Sequence, residues 1–164
     1  MLFLYLYSIH HVESVFKFMS VTIYYNKNLS KKNSSNIVLF LDEKFTISGL
    51  KKHISGSDYS FISDLIKTKD TKNNMLSFDI NSKRKIILDD IKKNIKNSDL
   101  ENLGAKFYDH FKNLKQNDYI LNSDTVANGL SHIIGYFLHG LKLKSYIFEK
   151  YKTKKSKKKI SIFV

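Results

Sequence analysis

Histidines and adjacent carboxylates are the residues of this sequence best suited to chemistry. His132 and His139 are seven residues apart, which in a helix separates them by about 10 Å along the axis. A metal ion bound by both would need further ligands, and the HExxH spacing of helical zinc sites does not occur. We expect all six histidines to lie on helix flanks or at the surface; the other four are His10, His11, His53 and His110.

Asp89 and Asp90 are neighbouring carboxylates that follow an apolar segment. Adjacent residues of a strand point to opposite faces of the sheet, so this pair cannot share a proton as a catalytic dyad does. We predict that the pair marks a strand end that turns into solvent.

Motifs for covalent catalysis and phosphate binding are absent from the sequence. It has no G-x-S-x-G nucleophile elbow, no G-x-G-x-x-G fingerprint and no P-loop. Gly129, Gly135 and Gly140 fall in a predicted helix, where we expect them to allow close packing rather than to hold a phosphate. No residue is therefore assigned a catalytic, cofactor-binding or metal-binding role.

Strand and helix patterns alternate along the chain. Short apolar or alternating runs predict strands at 20–26, 36–43, 75–80, 84–91, 118–123 and 159–164. Helical spacing of apolar residues predicts helices at 50–69, 98–115 and 126–141. This order predicts an α/β domain with a single mixed β-sheet flanked by helices.

Local signals predict where several of these elements begin. Ser98 and Glu101 fit a capping box, and Asp124 fits the N-cap of the third helix. Gly56 weakens or breaks the front of the first helix, and residues 81–83 fit a hairpin turn.

Composition limits the class of protein. A chain of 164 residues with 42% apolar residues suits one domain with a real core. The absence of cysteine excludes disulfides and thiolate metal sites and suits the cytoplasm. The net charge of +13 comes almost entirely from lysine, with Arg84 the only arginine. Since Lys, Asn and Ile all have A/T-rich codons, this charge is weak evidence for an anionic partner.

The two ends of the chain differ from the middle. Residues 1–18 lack the basic start and cleavage site of a signal peptide and are too short to span a membrane, so we expect an extension outside the fold, with Met19 a candidate start. Seven of the ten residues at 150–159 are lysine, with Tyr146, Phe148 and Tyr151 nearby. Such a run fits either a nucleic-acid-binding segment or a solvated connector between a helix and a strand.

The last 25 residues, GLKLKSYIFEKYKTKKSKKKISIFV, contain the most specific pattern. They resemble the end of the N-terminal domain of the cytosol (leucyl) aminopeptidase family, which carries Gly-x-x-Leu-x-Ser-Tyr-x-Phe-Asp-x-Tyr-Lys-Thr. Matching residues, with Glu in place of Asp, are Gly140, Leu143, Ser145, Tyr146, Phe148, Glu149, Tyr151, Lys152 and Thr153. The resemblance extends more loosely over 19–164, and Asp89-Asp90 departs from it, because the family has small or apolar residues there.

The resemblance implies a macro-domain-like N-terminal domain at 19–164 that is not catalytic by itself. The lysine run would be the loop before the last strand, and the chain would end at a domain boundary. The catalytic residues and the two divalent metals, zinc or manganese, would belong to a C-terminal domain that this truncated sequence lacks and that is encoded separately or lost. The domain would contribute subunit contacts in a cytoplasmic homo-oligomer, away from any membrane.

An alternative stays open: a nucleotide- or nucleic-acid-binding macro-like module. Lysine gives point charges rather than bidentate base contacts, so nucleic-acid binding by the lysine run would be weak, non-specific and salt-dependent.

Overall fold

The computed structural model describes residues 20–25, 36–42, 46–68, 75–92, 94–114, 117–126, 132–146 and 159–164. The predicted extension at 1–18 and most of the lysine run lie outside these residues, as do Gly129, His10 and His11.

Six strands form one mixed sheet in the order β1-β6-β5-β2-β4-β3. Neighbouring strands are parallel except for the antiparallel hairpin β3–β4. The predicted single mixed sheet is confirmed, and Val21 pairs with Ile160 within it. The strands are β1 (Val21–Tyr24), β2 (Asn36–Asp42), β3 (Met75–Asn81), β4 (Arg84–Ile91), β5 (Asp118–Asn122) and β6 (Ile160–Phe163).

Helices cover both faces of the sheet. The helices are α1 (Gly56–Thr68), α2 (Asn97–Phe111) and α3 (His132–Lys144), with short 3-10 helices at Ser48–Lys52 and Ser123–Thr125. α2 and α3 pack on one face, whereas α1 and the first 3-10 helix pack on the other. β2 therefore contributes Val38 and Phe40 to one core and Leu39 and Leu41 to the other, which explains its continuous apolar sequence.

The pair Asp89 and Asp90 does not turn into solvent, so that prediction was wrong. β4 continues to Ile91, and the exposed fractions of the two residues are 0% and 7%. β4 lies between β2 and β3 with helices on both faces, so its carboxyl end stays inside the protein. Alternation along the strand places Asp89 on the α2–α3 face and Asp90 on the opposite one.

The Asp89 carboxyl is electrostatically unusual. Neither of its oxygens has a hydrogen-bond partner among the residues that the structure describes. Burial, and secondarily the charge of Asp90, raises the pKa of Asp89 from 3.8 to about 8. The group is therefore neutral in the folded protein at pH 7.

Helix starts differ in part from the sequence prediction. The α1 helix begins at Gly56, where the Ser55 hydroxyl accepts from the Asp58 amide, so the predicted break is confirmed. The Ser98 capping box is wrong, because α2 begins at Asn97 and its N-cap Lys96 makes no side-chain capping bond. Asp124 caps no long helix either; it lies in a 3-10 helix, and Val126 after it is extended.

The contact between α2 and α3 depends on two glycines. A Cβ atom at Gly104 would overlap the carbonyl oxygen of Phe137, and one at Gly140 would overlap that of Glu101. Close packing at Gly140 is thus confirmed, whereas Gly135 faces open space. With the backbones this close, Phe107 and Phe137 meet edge to face, with ring centroids 5.6 Å apart.

The only arginine of the sequence, Arg84, forms an ion pair within the fold. Arg84 Nη1 donates to Asp58 Oδ2 at 2.7 Å. The exposed fraction is 13% for the Arg84 side chain and 10% for that of Asp58. The pair connects α1 to the start of β4, next to the predicted turn, where the Lys83 amide donates to Asn81 Oδ1.

Candidate functional site

The clearest candidate site follows from the strand order. β5 lies beside β2, yet the chain leaves β2 toward the α1 face and leaves β5 toward the α3 face. Connections that diverge in this way open a crevice at the carboxyl ends of the two strands, where α/β proteins commonly bind ligands. A cavity of about 290 Å³ lies at this point. We call it the switch-point crevice; its polar lining is Thr46, Lys52, His53, Asp124 and Thr125.

Short polar interactions hold the crevice walls in place. The Asp42 carboxylate at the end of β2 accepts from the Thr46 amide at 2.9 Å. Thr125 Oγ1 accepts from the Phe40 amide at 2.9 Å and donates to the Asn122 carbonyl at 2.7 Å. The second 3-10 helix is thereby tied to β2.

The same network selects the tautomer of a neutral His53. Asn122 Oδ1 accepts from the Asp124 amide at 3.0 Å, which fixes the orientation of the Asn122 side-chain amide. Its Nδ2 group then donates to His53 Nδ1 at 2.9 Å. Because Nδ1 is the acceptor, a neutral His53 carries its proton on Nε2.

The lining of the switch-point crevice suits the binding of a polar organic ligand better than that of a metal ion. A lysine ammonium, two hydroxyls and an imidazole can bind a phosphate-bearing or hydroxyl-rich ligand beside the apolar surface of Phe40, Leu41 and Leu50. No three histidine or carboxylate side chains come together as metal ligands in the described part of the chain.

The residues singled out in the sequence are not brought together. His110, His132 and His139 are exposed on α2 and α3, as expected, and His139 Nδ1 lies 2.8 Å from Glu101 Oε1. His53 was expected at the surface but is half-buried at the crevice. Polar residues directly after β2 and β5 were the available signal for this site.

None of the described helices is long and apolar enough to cross a membrane.

The described part of the C-terminal pattern anchors α3. Ser145 is fully buried, and its carbonyl accepts from the amide and hydroxyl of Ser20 at 3.4 and 3.2 Å. The Ser20 hydroxyl also lies 2.7 Å from that of Tyr108 in α2. The end of α3 is thus bonded to the residue before β1, and that residue to α2. Residues 147–158 lie outside the described chain, whereas Lys159 is exposed just before β6.

Comparison with known proteins shows the fold alone. No protein-family model matches the sequence, and no curated protein matches it. A mutant of tomato leucine aminopeptidase aligns with 88% of the chain at a TM-score of 0.58 and 12% identity. The macrodomain of Thermus aquaticus DarG aligns with 87% of it at a TM-score of 0.52 and 11% identity.

The two similar structures differ in how much of them is matched. The chain spans 32% of the tomato protein but 97% of the macrodomain. The predicted macro-domain-like α/β fold is confirmed.

Proposed function

We propose that residues 19–164 are the non-catalytic N-terminal domain of a leucyl-aminopeptidase-like metalloaminopeptidase. The observation that carries this proposal is the packing of the C-terminal pattern. Gly140 and Ser145, which match the family pattern, lie where α3 contacts the backbone of α2 and the residue before β1. The sequence match therefore falls on positions that this fold needs, in a fold that aligns with a leucine aminopeptidase over 88% of the chain.

In this proposal the domain contributes subunit contacts in a cytoplasmic oligomer, and its partner is a catalytic domain. Peptide hydrolysis and the two divalent metals, zinc or manganese, belong to that partner. The exposed Leu143 and Tyr146, 58% and 46% accessible, lie beside the anchored Ser145 and are available for such contacts.

A domain-replacement experiment tests the proposal. We expect a chimera in which residues 19–164 replace the N-terminal domain of the tomato enzyme to assemble and to release leucine from a chromogenic leucine amide. The isolated chain should release none with zinc or manganese added. Light scattering coupled to gel filtration gives the assembly state, and absorbance gives the rate.

Two controls make the experiment decisive. The catalytic domain alone shows whether any N-terminal domain is needed, and a chimera with the Thermus aquaticus macrodomain shows whether this fold is sufficient. Equal assembly of both chimeras, failure of ours to assemble, or activity of the isolated chain would each contradict the proposal.

A second function, nucleotide binding, is favoured by the switch-point crevice. Lys52 lies in the crevice lining, whereas the neighbouring Lys51 ammonium lies 5.0 Å from the Tyr59 ring centroid. If the crevice binds ADP, Lys52→Gln should weaken binding about tenfold, because a hydrogen bond to a charged group contributes about 1.5–3 kcal/mol. Lys51→Gln is the matched control and should bind like the unmodified protein in calorimetry. No ADP binding, or equal loss in both variants, would exclude this function.

A further inference from the structure

A second concave surface lies on the α2–α3 side of the sheet. Its cavity, of about 490 Å³, is bounded by the segment after β4, the outer side of α2 and the end of α3. Four lysines line it: Lys92, Lys96, Lys106 and Lys144. We call this surface the basic groove.

The basic groove keeps a positive excess. Lys92, Lys96 and Lys106 are exposed, and their ammonium groups form no ion pair or hydrogen bond with any described residue. Of its two carboxylates, Asp109 is already compensated, because it bonds Lys112 at 2.6 Å and Lys144 at 3.1 Å. These two ammonium groups hold the pKa of Asp109 below its usual value. Only Asp99 then offsets the three unpaired lysines.

The spacing of the lysines suits an extended polyanion. Lys96 precedes α2 and Lys106 lies ten residues further along, so their Cα atoms are about 15 Å apart along the helix. Phosphates of a duplex strand follow one another every 3.4 Å or so along the helix axis, so the groove spans about four of them.

The lining also distinguishes nucleic acid from a lipid surface. Proteins that bind at a membrane interface insert large apolar side chains beside their basic residues. None of the large hydrophobic side chains exposed in the described chain lines the basic groove; they are Tyr24, Tyr25, Phe61, Leu143 and Tyr146. The groove also contains no arginine for bidentate base contacts, since Arg84 is bound to Asp58.

We propose that the basic groove binds the sugar–phosphate backbone of nucleic acid without sequence preference. This binding does not depend on the aminopeptidase proposal and uses neither the switch-point crevice nor the lysine run at 150–159.

The test measures how the full chain binds a fluorescent random duplex of about 20 base pairs, by anisotropy across a salt series. The groove variant combines Lys92→Gln, Lys96→Gln and Lys106→Gln. The control variant combines Lys51→Gln, Lys67→Gln and Lys83→Gln, which removes the same charge from exposed sites outside both the groove and the lysine run. A third variant changes Lys154, Lys155, Lys157 and Lys158 to Gln.

We expect the groove variant to lose at least about tenfold in affinity at low salt. Its slope of log K against log salt should fall by about 2–3, since each lost phosphate contact removes about 0.9. The control should change about twofold or less, and the groove variant should bind anionic vesicles as the unmodified protein does.

Several results would overturn the proposal. Equal losses in the groove and control variants would show a general charge effect, and loss only in the third variant would assign binding to the lysine run. No binding by the unmodified chain at low salt would also refute it, as would a groove variant that loses vesicle binding but keeps duplex binding.

Discussion

Asp89→Asn should stabilise the protein by about 4 kcal/mol at pH 7 and leave its stability nearly unchanged near pH 4. Asp89 is completely buried, neither carboxylate oxygen has a hydrogen-bond partner in the described part of the chain, and its pKa in the folded state is about 8. Asparagine has nearly the same shape but cannot ionise. The substitution therefore removes the titration while it keeps the packing.

The sign of the effect follows from where the proton is bound. Between pH 3.8 and about 8 the folded protein keeps the Asp89 proton and the unfolded chain has released it. The free energy of unfolding then falls by about 1.4 kcal/mol for each pH unit across this window. Below the window Asp89 is protonated in both states, and above it Asp89 is ionised in both. Asp89 therefore contributes no pH dependence to the stability in either region.

Urea unfolding at a series of pH values from 4 to 9 measures the effect. The difference between the variant and unmodified curves isolates the Asp89 carboxyl together with its interaction with Asp90, because the remaining groups titrate in both proteins. Asp99→Asn is the matched control, since Asp99 is an exposed carboxylate on the adjoining helix. A flat difference curve for Asp89→Asn, or one that matches the control, would show that the Asp89 carboxyl has a partner or solvent access.

Asp89 also shows why burial could not be predicted from the sequence. A carboxylate after an apolar run usually marks a strand end, because a charge is costly to remove from water. Here β2 and β3 pair with β4 past that point, with Phe40 and Met75 opposite Asp89. Those neighbours come from distant parts of the chain, and no local pattern specifies them.

Regular elements were predictable where local chemistry decides them. The continuous apolar run of β2, the β3–β4 turn and the break before Gly56 depend on residues close together in the sequence. Helix starts were less predictable, because capping residues have other uses in the folded protein. Glu101 contacts His139 across the helix pair instead of capping α2.

The switch-point crevice was unpredictable for a topological reason. Its walls follow β2 and β5, which are separated in the sequence by a hairpin and two helices but become neighbours in the sheet. His53 reaches Asn122 only through that pairing. The residue types were visible in the sequence, but their convergence depends on strand order.

Alanine at either Gly104 or Gly140 should destabilise the protein by about 3 kcal/mol. The added Cβ at Gly104 would overlap the Phe137 carbonyl and lie 2.9 Å from the Leu141 amide nitrogen. At Gly140 it would overlap the Glu101 carbonyl and lie 2.5 Å from its Cα. Backbone atoms cannot rotate aside as a side chain can, so α2 and α3 must move apart.

Gly135→Ala is the matched control, because it adds the same methyl group to α3 where nothing lies within 4 Å. It should stabilise the protein by up to about 1 kcal/mol through helix propensity alone. Urea unfolding of the three variants separates the two effects, and equal stabilities for all three would mean that the helices are not in close contact.

The double variant of Gly104 and Gly140 tests the geometry further. Each alanine alone must separate the same two helices, so once they have moved the second methyl group meets less resistance. The double variant should therefore lose less stability than the two single losses added together, by about 1 kcal/mol or more. Strict additivity would indicate that the glycines act at independent sites rather than at one helix contact.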